Sequence, residues 1–138
     1  MNTPIKILLI EDDPDDVELL QDSLNDNKVS YEMNVINDGA MVLDYLKNNF
    51  ESPDIIILDL NLPRVHGKEI IKEIKIQTPF KNTPLLILTT SSAKEDIEFS
   101  YEHGANKFLR KPTTVESFRL TIATILELAA LPRSQTLN

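Results

Sequence analysis

The sequence predicts an α/β protein built on a doubly wound, five-stranded parallel sheet with helices on both faces. Short apolar runs alternate along the chain with amphipathic segments, which is the pattern of repeated β-α units. Several of these runs lack polar alternation, as is typical of strands that are covered on both faces. The predicted strands are Ile5–Ile10, Tyr31–Ile36, Asp54–Leu58, Leu85–Thr89 and Lys107–Arg110.

Local signals mark where several helices begin. In "DDPDD", Asp13 is a candidate N-cap, Pro14 takes the first helical position, and further acids follow where the helix dipole favours them. The stretch "SSAKED" predicts a serine cap before the fourth helix. The stretch "TTVES" predicts a threonine cap before the fifth helix, with Glu116 in the first turn.

The length and composition of the chain limit the functions that it can have. The 138 residues fit one domain, expected at 1–130 and followed by a short tail at 131–138, with no output domain. A net charge of −8 opposes nucleic-acid binding, which usually needs a basic patch. The lack of cysteine excludes disulfides, thiol nucleophiles and zinc-thiolate sites. Since the apolar runs are too short for a signal peptide or a membrane span, we expect a cytoplasmic protein without a membrane partner.

Acidic residues follow two of the predicted strands. Asp59 comes directly after the aliphatic run Ile55–Leu58, while Glu11 and Asp12 follow the first strand. An aspartate at that point is also explained as a cap of the next loop. If the two strands are neighbours, however, the carboxylates share one crevice and need protons or a cation to offset their repulsion. Oxygen ligands of this kind suit Mg²⁺.

Two other strand ends add a hydroxyl and an ammonium. Thr89 and Thr90 follow the fourth strand, and Lys111 follows the fifth. Beside a metal-bound carboxylate, such groups would hold a phosphoryl group while Asp59 attacks as a nucleophile. The combination predicts aspartyl-phosphate chemistry.

Taken singly, these residues have simpler interpretations. Asp13 is explained as a helix cap, Lys111 as a solvated loop lysine and Thr89 as a strand-end hydroxyl. His66 and His103 have no second histidine at ligand spacing, so we interpret both as solvated loop or helix-end residues. The functional interpretation is favoured because acids, hydroxyl and lysine all fall at the carboxyl ends of separate strands.

The chain resembles the receiver domain of two-component response regulators. The resemblance runs from about Ile5 to Ala129 and is carried by "LLIEDD", "IIILDLNLPRVHG", "LLILTT" and "FLRKP". It implies the strand order 2-1-3-4-5 that such folds share with flavodoxin. It further implies that Asp59 accepts a phosphoryl group from the phosphohistidine of a histidine kinase.

The resemblance also assigns the metal ligands and the switch. It implies Mg²⁺ bound by the side chains of Asp12 and Asp59, by the backbone carbonyl of Asn61, and by Glu11 through water. The remaining roles fall to Thr89 as the switch hydroxyl, Lys111 as the cationic partner of the phosphoryl group, and Phe108 as the rotating aromatic residue. Phenylalanine replaces the tyrosine common at that position in the family, so rotation would be driven by burial and would lack a hydroxyl hydrogen bond.

A narrower resemblance concerns the partners. The stretches "LDLNLPRVHGKEI" and "LTTSSAKEDIEFSYEHGAN" look like the stand-alone response regulators that partner bacterial phytochrome histidine kinases. In the family alignment, the fourth helix, fifth strand and fifth helix form one surface, and we expect a homodimer there.

The fifth helix carries two apolar stripes, only one of which can cover the sheet. The stripe expected against the sheet is Val115, Phe118, Ile122, Ile125 and Ala129. The second stripe, with its neighbours in the alignment, gives the expected interface of Ile97, Tyr101, Phe108, Leu120, Thr124, Leu128 and Leu131. The alternative is that the short tail folds back over this patch.

Two other functions remain as alternatives. One is a Mg²⁺-dependent phosphatase or phosphotransferase that acts on a metabolite through Asp59. Against it, Asn61 stands where the large aspartate-nucleophile phosphatase family has an acid/base aspartate, and little chain is left for a substrate cap. The other is a nucleotide-binding flavodoxin-like protein, which is opposed by the absence of a G-x-G-x-x-G or P-loop stretch.

Overall fold

The computed structural model describes residues 3–49, 51–63, 65–77 and 79–132. Its sheet has five parallel strands in the order β2-β1-β3-β4-β5, so the predicted fold class and order are confirmed. The strands are β1 Ile5–Ile10, β2 Tyr31–Ile36, β3 Ile55–Leu58, β4 Leu85–Thr89 and β5 Lys107–Arg110. The third strand begins one residue later than predicted, because Asp54 instead pairs its backbone N–H and its side chain with Lys6.

Helices follow each strand. They are α1 Pro14–Asp26, α2 Val42–Asn48, α3 Gly67–Ile76, α4 Lys94–Glu102 and α5 Val115–Ala129, with a 3-10 turn at Gly39–Met41. None of the helices in the described ranges is long and apolar enough to cross a membrane.

Of the three predicted helix caps, two are confirmed and one is wrong. Asp13 caps α1 by accepting a hydrogen bond from the Asp15 backbone, and Thr114 caps α5. The capping box of α5 is closed by the Ser117 hydroxyl, one residue beyond Glu116. The predicted serine cap of α4 is wrong, since Ala93 occupies the N-cap position and makes no side-chain cap hydrogen bond.

The sheet separates two apolar cores. Alternate residues of β3 point to opposite faces, so Ile56 and Leu58 pack in one core while Ile55 and Ile57 pack in the other. All residues of β3 are buried, which explains the absence of polar alternation in "IIIL". Because this central strand is covered on both faces, it holds the next residue, Asp59, at a fixed point at the carboxyl end of the sheet.

A glycine fixes the loop that follows Asp59. A Cβ atom on Gly67 would lie 2.5 Å from the Leu60 Cα and 2.8 Å from the Leu60 carbonyl oxygen. Only glycine therefore allows the start of α3 to pack directly on the backbone next to Asp59. This contact ties the first turn of α3 to the carboxyl end of β3.

The buried face of α5 matches the predicted stripe only in part. Ile122 and Ile125 are buried as expected, but Val115 is 69% exposed. Thr124 and Leu128, which we assigned to the exposed second stripe, are buried. The core contacts therefore include part of both predicted stripes.

Burial of Thr124 has a physical reason: its hydroxyl donates to the Leu120 carbonyl at 2.8 Å and thus needs no solvent. Leu120 and Leu131 remain exposed. Most of the predicted tail, residues 133–138, lies outside the described residues.

Candidate functional site

One lysine joins the acidic residues at the carboxyl edge of the sheet. The Lys111 Nζ lies 2.8 Å from Glu11 Oε1, 2.8 Å from Asp59 Oδ2 and 2.6 Å from Asp16 Oδ2. An ammonium group has three N–H donors, so these contacts use all of them. The predicted proximity of Glu11, Asp59 and Lys111 follows from the sheet order, which places β1 beside β3.

Asp59 is held rigidly. Its residue is only 3% exposed, and its backbone N–H donates to the Ile10 carbonyl at 3.1 Å. Its Oδ1 accepts a hydrogen bond from the Asn61 backbone at 2.9 Å, while Oδ2 contacts Lys111. Both carboxylate oxygens are therefore oriented by fixed donors.

Burial and pairing act in opposite directions on these groups. Burial opposes ionisation of Asp59, but hydrogen bonds from Lys111 and the Asn61 backbone prevail and lower its pKa. For Glu11, burial prevails over the Lys111 contact, and the neighbouring Asp59 charge adds to it, so that the pKa is raised to about 7. Burial also opposes the charge on Lys111, yet hydrogen bonds to Asp16, Asp59 and Glu11 raise its pKa. The site therefore keeps Asp59 as a carboxylate and Lys111 as an ammonium.

The hydroxyl at the end of β4 is restrained by an amide. Thr89 is fully buried, and the Asn61 Nδ2 lies 3.2 Å from its Oγ1 and 2.9 Å from the Thr90 Oγ1. The Ser91 backbone N–H also donates to the Thr89 Oγ1, at 3.4 Å. The structure thus brings the predicted Thr89 to the same edge as Asp59, and its hydroxyl hydrogen bond helps lower the pKa of that carboxyl.

The acidic residues fit a small divalent cation. Glu11, Asp12 and Asp59 each offer a carboxylate oxygen, and these oxygens lie within 4.8 Å of one another. Hard oxygen donors of this type are the ones Mg²⁺ prefers. The predicted roles of the Asn61 carbonyl and of water-mediated contact by Glu11 stay predictions.

Phe108 is half-buried against the core, at the centre of β5 beside α4. Its backbone N–H donates to the Tyr101 hydroxyl at 3.0 Å. The Tyr101 residue is 46% exposed, and Ile97 is half-buried on the same helix. A tyrosine hydroxyl thus lies next to the predicted switch residue, supplied by α4 instead of by residue 108.

The two histidines lie apart from the acids. His66 is an exposed residue at the start of α3, as predicted. His103 lies at the end of α4, as predicted, but it is less solvated than expected. Its ring stacks on Phe99 with centroids 4.0 Å apart, and its Nδ1 lies 2.9 Å from the Phe99 carbonyl oxygen. Stacking and this polar contact explain why His103 is half-buried.

Sequence reasoning missed Asp16. The residue lies in the first turn of α1, where acids are expected for the helix dipole alone. Two neighbouring acids, Asp15 and Asp16, satisfy that expectation equally well in the sequence. Only the position of α1 against the sheet shows that Asp16 contacts Lys111 and that Asp15 is exposed.

Comparison with known proteins identifies the family. The response regulator receiver domain family matches residues 7–123, which is most of the chain. The chain belongs to this family. Receiver domains take a phosphoryl group from a histidine kinase, and this chain is therefore a response regulator component of two-component signalling.

Three relatives show the range of the similarity. Response regulator Rcp1 from Synechocystis sp. is 36% identical over 115 residues, which cover 80% of this chain and 78% of Rcp1. The crystal structure of the Mn²⁺-bound form of Rcp1 matches with a TM-score of 0.80 at 30% identity, covering 96% of this chain and 100% of that chain. The phosphorylated cyanobacterial phytochrome response regulator RcpA matches with a TM-score of 0.79 at 33% identity, over 91% of this chain and 93% of its own.

The third relative is the receiver domain of sensor histidine kinase PA1611 from Pseudomonas aeruginosa, which has a magnesium ion coordinated in its active site cleft. It matches with a TM-score of 0.72 at 26% identity, over 91% of this chain and 96% of its own. Metal-bound receivers thus occur among the structures that this chain resembles.

Removing the lysine should destabilise the metal-free protein in a pH-dependent way. In Lys111→Ala, Glu11 and Asp59 stay buried without their cation, and we expect a loss of about 3 kcal/mol of unfolding free energy at about pH 8. Because the folded-state pKa of Asp59 is lowered, its pairing stabilises the fold above its ordinary pKa and is lost as the pH falls. At about pH 5 the Asp59 contribution is still present, because this pH lies above its ordinary pKa. Glu11, whose pKa is raised to about 7, is protonated there and carries no buried charge, so the loss should shrink by the Glu11 part alone.

Urea unfolding in EDTA measures this effect. Lys107→Ala is the matched control, since it removes the same charge from an exposed position on β5. Equal losses in the two variants, or a Lys111→Ala loss that does not depend on pH, would contradict the role of Lys111 as the counter-ion of the buried acids.

Proposed function

We propose that Asp59 is the phosphoacceptor of this receiver. The observation that carries the proposal is the geometry of its carboxylate, which is buried, ionised and held by the Asn61 backbone and Lys111. A nucleophilic carboxylate needs to stay ionised and to point at the donor phosphorus. The lowered pKa keeps Asp59 ionised, and the two hydrogen bonds hold its carboxylate in one orientation.

The transfer step is a substitution at phosphorus. An Asp59 carboxylate oxygen forms the new P–O bond while the P–N bond of the donor phosphohistidine breaks. The imidazole leaves with the electron pair of that bond and takes up a proton from solvent. Lys111 then moves its N–H donors to the transferred phosphoryl group, and the Thr89 hydroxyl leaves Asn61 to donate to the same group.

We propose a Mg²⁺ site formed by Asp12, Asp59 and the Asn61 backbone carbonyl, with Glu11 acting through water. The clustering of the carboxylate oxygens and the metal-bound relatives support it. When bound, the ion offsets the repulsion between the acids and an anionic donor. Burial raises the pKa of Glu11 to about 7, so this acid would ionise more completely with a cation nearby.

We propose that the protein assists its own phosphoryl transfer and dephosphorylation and is no enzyme of metabolites. The Asn61 side chain, placed where a metabolite phosphatase would carry an acid/base group, donates hydrogen bonds to Thr89 and Thr90. An amide cannot exchange protons with a leaving group. Acetyl phosphate separates the two functions, because a receiver retains one phosphoryl group and releases it slowly, whereas a phosphatase turns over many.

The Asp59→Asn variant should fail to incorporate phosphate from acetyl phosphate. The substitution removes the nucleophilic oxygen while keeping the size of the side chain, so folding is retained. The control is Asp44→Asn, which removes the same charge from an exposed position on α2 and should be phosphorylated like the unmodified protein.

Excess EDTA should abolish incorporation in the unmodified protein, and added Mg²⁺ should restore it. Intact-protein mass spectrometry reads the mass of one phosphoryl group. Incorporation into Asp59→Asn at the unmodified level would reject Asp59 as the acceptor, and incorporation that EDTA leaves unchanged would reject the metal requirement.

The finer assignments concern partners and location. Similarity to the cyanobacterial phytochrome response regulator RcpA, together with the motifs shared by such regulators, supports a bacterial phytochrome histidine kinase as the phosphoryl donor. We place the protein in the cytoplasm, because the kinase draws its phosphoryl group from ATP. Competition between candidate kinase fragments for transfer to this chain would test the first assignment.

We retain the homodimer as a proposal, with a smaller surface than the sequence predicted. Burial of Thr124 and Leu128 removes them from the interface, leaving Ile97, Tyr101, Phe108, Leu120 and Leu131 as its candidates. Since stable interfaces bury more than about 1,000 Å² in total, polar residues of α4 and α5 must contribute as well. The position of this patch beside Phe108 supports tightening by phosphorylation.

Sedimentation velocity tests the dimer. The unmodified protein should shift toward a dimer when beryllofluoride, a phosphoryl mimic, is added with Mg²⁺, and Leu120→Glu should stay monomeric because it places a charge in the patch. The control Ile76→Glu puts the same charge on an exposed residue of α3 and should dimerise normally. A monomer throughout, at high protein concentration with beryllofluoride bound, would refute the homodimer.

A further inference from the structure

We propose that Asp16 is a positioning residue that competes with the phosphoryl group for the Lys111 ammonium. The inference rests on the proposed role of Asp59 as phosphoacceptor. In the unphosphorylated state Asp16 holds one N–H donor of Lys111 on the α1 side of the site. The phosphoryl group takes up this donor as well as the one now held by Asp59, so Asp16 opposes the activated state.

The hydrogen bonds of Lys111 set up the competition. Its three N–H donors are all taken, by Glu11, Asp16 and Asp59, and the contact to Asp16 at 2.6 Å is the shortest of them. A phosphoryl group on Asp59 adds new anionic oxygens to the same small space. Because Lys111 has no fourth donor, each donor that turns to a phosphoryl oxygen leaves a present contact. The contact to Asp59 is the first to be replaced, since an acyl phosphate keeps no carboxylate charge, and a second donor has to come from Glu11 or Asp16.

Burial decides which contact is released. The side chains of Glu11 and Asp59 are 5% and 4% exposed, whereas that of Asp16 is 32% exposed. A buried carboxylate that loses its cation pays a large desolvation cost, while a partly exposed one regains water. Asp59 no longer carries the charge once it is phosphorylated, so of the two acids that stay charged, Glu11 and Asp16, it is Asp16 that loses Lys111 at least cost.

The backbone of Lys111 restricts how the ammonium can move. Its N–H donates to the Thr89 carbonyl at 2.8 Å, and Pro112 follows it in the chain. The side chain itself lines a cavity of about 30 Å³ between α1 and α5, together with Asp16 and Phe118. The backbone is fixed and the stem has a small free volume, so the ammonium shifts between Asp16 and the phosphoryl group by side-chain rotation.

Asp16→Asn should therefore bind the phosphoryl mimic more tightly. The substitution removes a negative charge next to the site and weakens the competing contact, while it keeps the shape of the side chain. We expect the affinity for beryllofluoride in the presence of Mg²⁺ to rise about threefold, the size typical of a partly exposed ion pair.

Asp15→Asn is the matched control. It removes the same charge from the same first turn of α1, so it changes the interaction with the helix dipole in the same way. Asp15 is exposed and its backbone N–H, which donates to Asp13, is retained. Its affinity for beryllofluoride should equal that of the unmodified protein.

A second measurement follows the lysine itself. The NMR signals of the Lys111 ε-methylene group should shift in Asp16→Asn without any ligand, because a neutral amide replaces the carboxylate at the shortest contact of the ammonium. The Lys111 ε-methylene signals should be unchanged in Asp15→Asn. Backbone amide shifts in β3 and β4 report whether either variant disturbs the fold.

The outcomes separate this inference from the proposed function. If the unmodified protein binds beryllofluoride and Asp16→Asn gains affinity over Asp15→Asn, the competition is supported. If both variants match the unmodified protein, or if Asp16→Asn binds more weakly, Asp16 does not compete and the inference is wrong. If the unmodified protein itself fails to bind beryllofluoride with Mg²⁺, the assignment of Asp59 as phosphoacceptor is what fails.

Discussion

The charge balance around Lys111 is the constraint on which the rest of the site depends. Acids from the end of β1, the first turn of α1 and the end of β3 meet on one ammonium group. Buried carboxylates at such distances would repel one another strongly if no cation lay between them. The parallel order β2-β1-β3-β4-β5 creates this problem by bringing the strand ends together, and the lysine after β5 resolves it.

The same arrangement leaves the site ready to change state. Asn61 holds the Thr89 hydroxyl and Asp16 holds one donor of Lys111, so both groups that the proposed phosphoryl state needs are engaged elsewhere beforehand. A ligand shifts a conformational equilibrium only by the difference in its interactions with the two states. The phosphoryl group would supply that difference by drawing the Thr89 hydroxyl away from Asn61 and the Lys111 ammonium away from Asp16.

Sequence reasoning succeeded where the chain has few options and failed where packing decides. Four aliphatic residues before Asp59 required a strand covered on both faces, and this strand fixed the acid at the sheet edge. Asp15 and Asp16 are successive acids in α1, and the rotation of the helix about its axis decides which of them faces Lys111. The amino-acid pattern of the first turn does not determine that rotation. The predicted division of α5 into a buried and an exposed stripe was wrong in part for a similar reason. The hydroxyl of Thr124 bonds to the backbone of its own helix, so this residue can be buried like an apolar group.

The most direct test of the account is chemical mapping of the phosphorylated residue in the unmodified protein. After reaction with acetyl phosphate and Mg²⁺, sodium borohydride reduces an aspartyl phosphate to homoserine, which peptide mass spectrometry locates. The account predicts the reduced residue at position 59 and unmodified carboxylates at Glu11, Asp12 and Asp16. Reduction at any of those three acids, with Asp59 intact, would contradict the account.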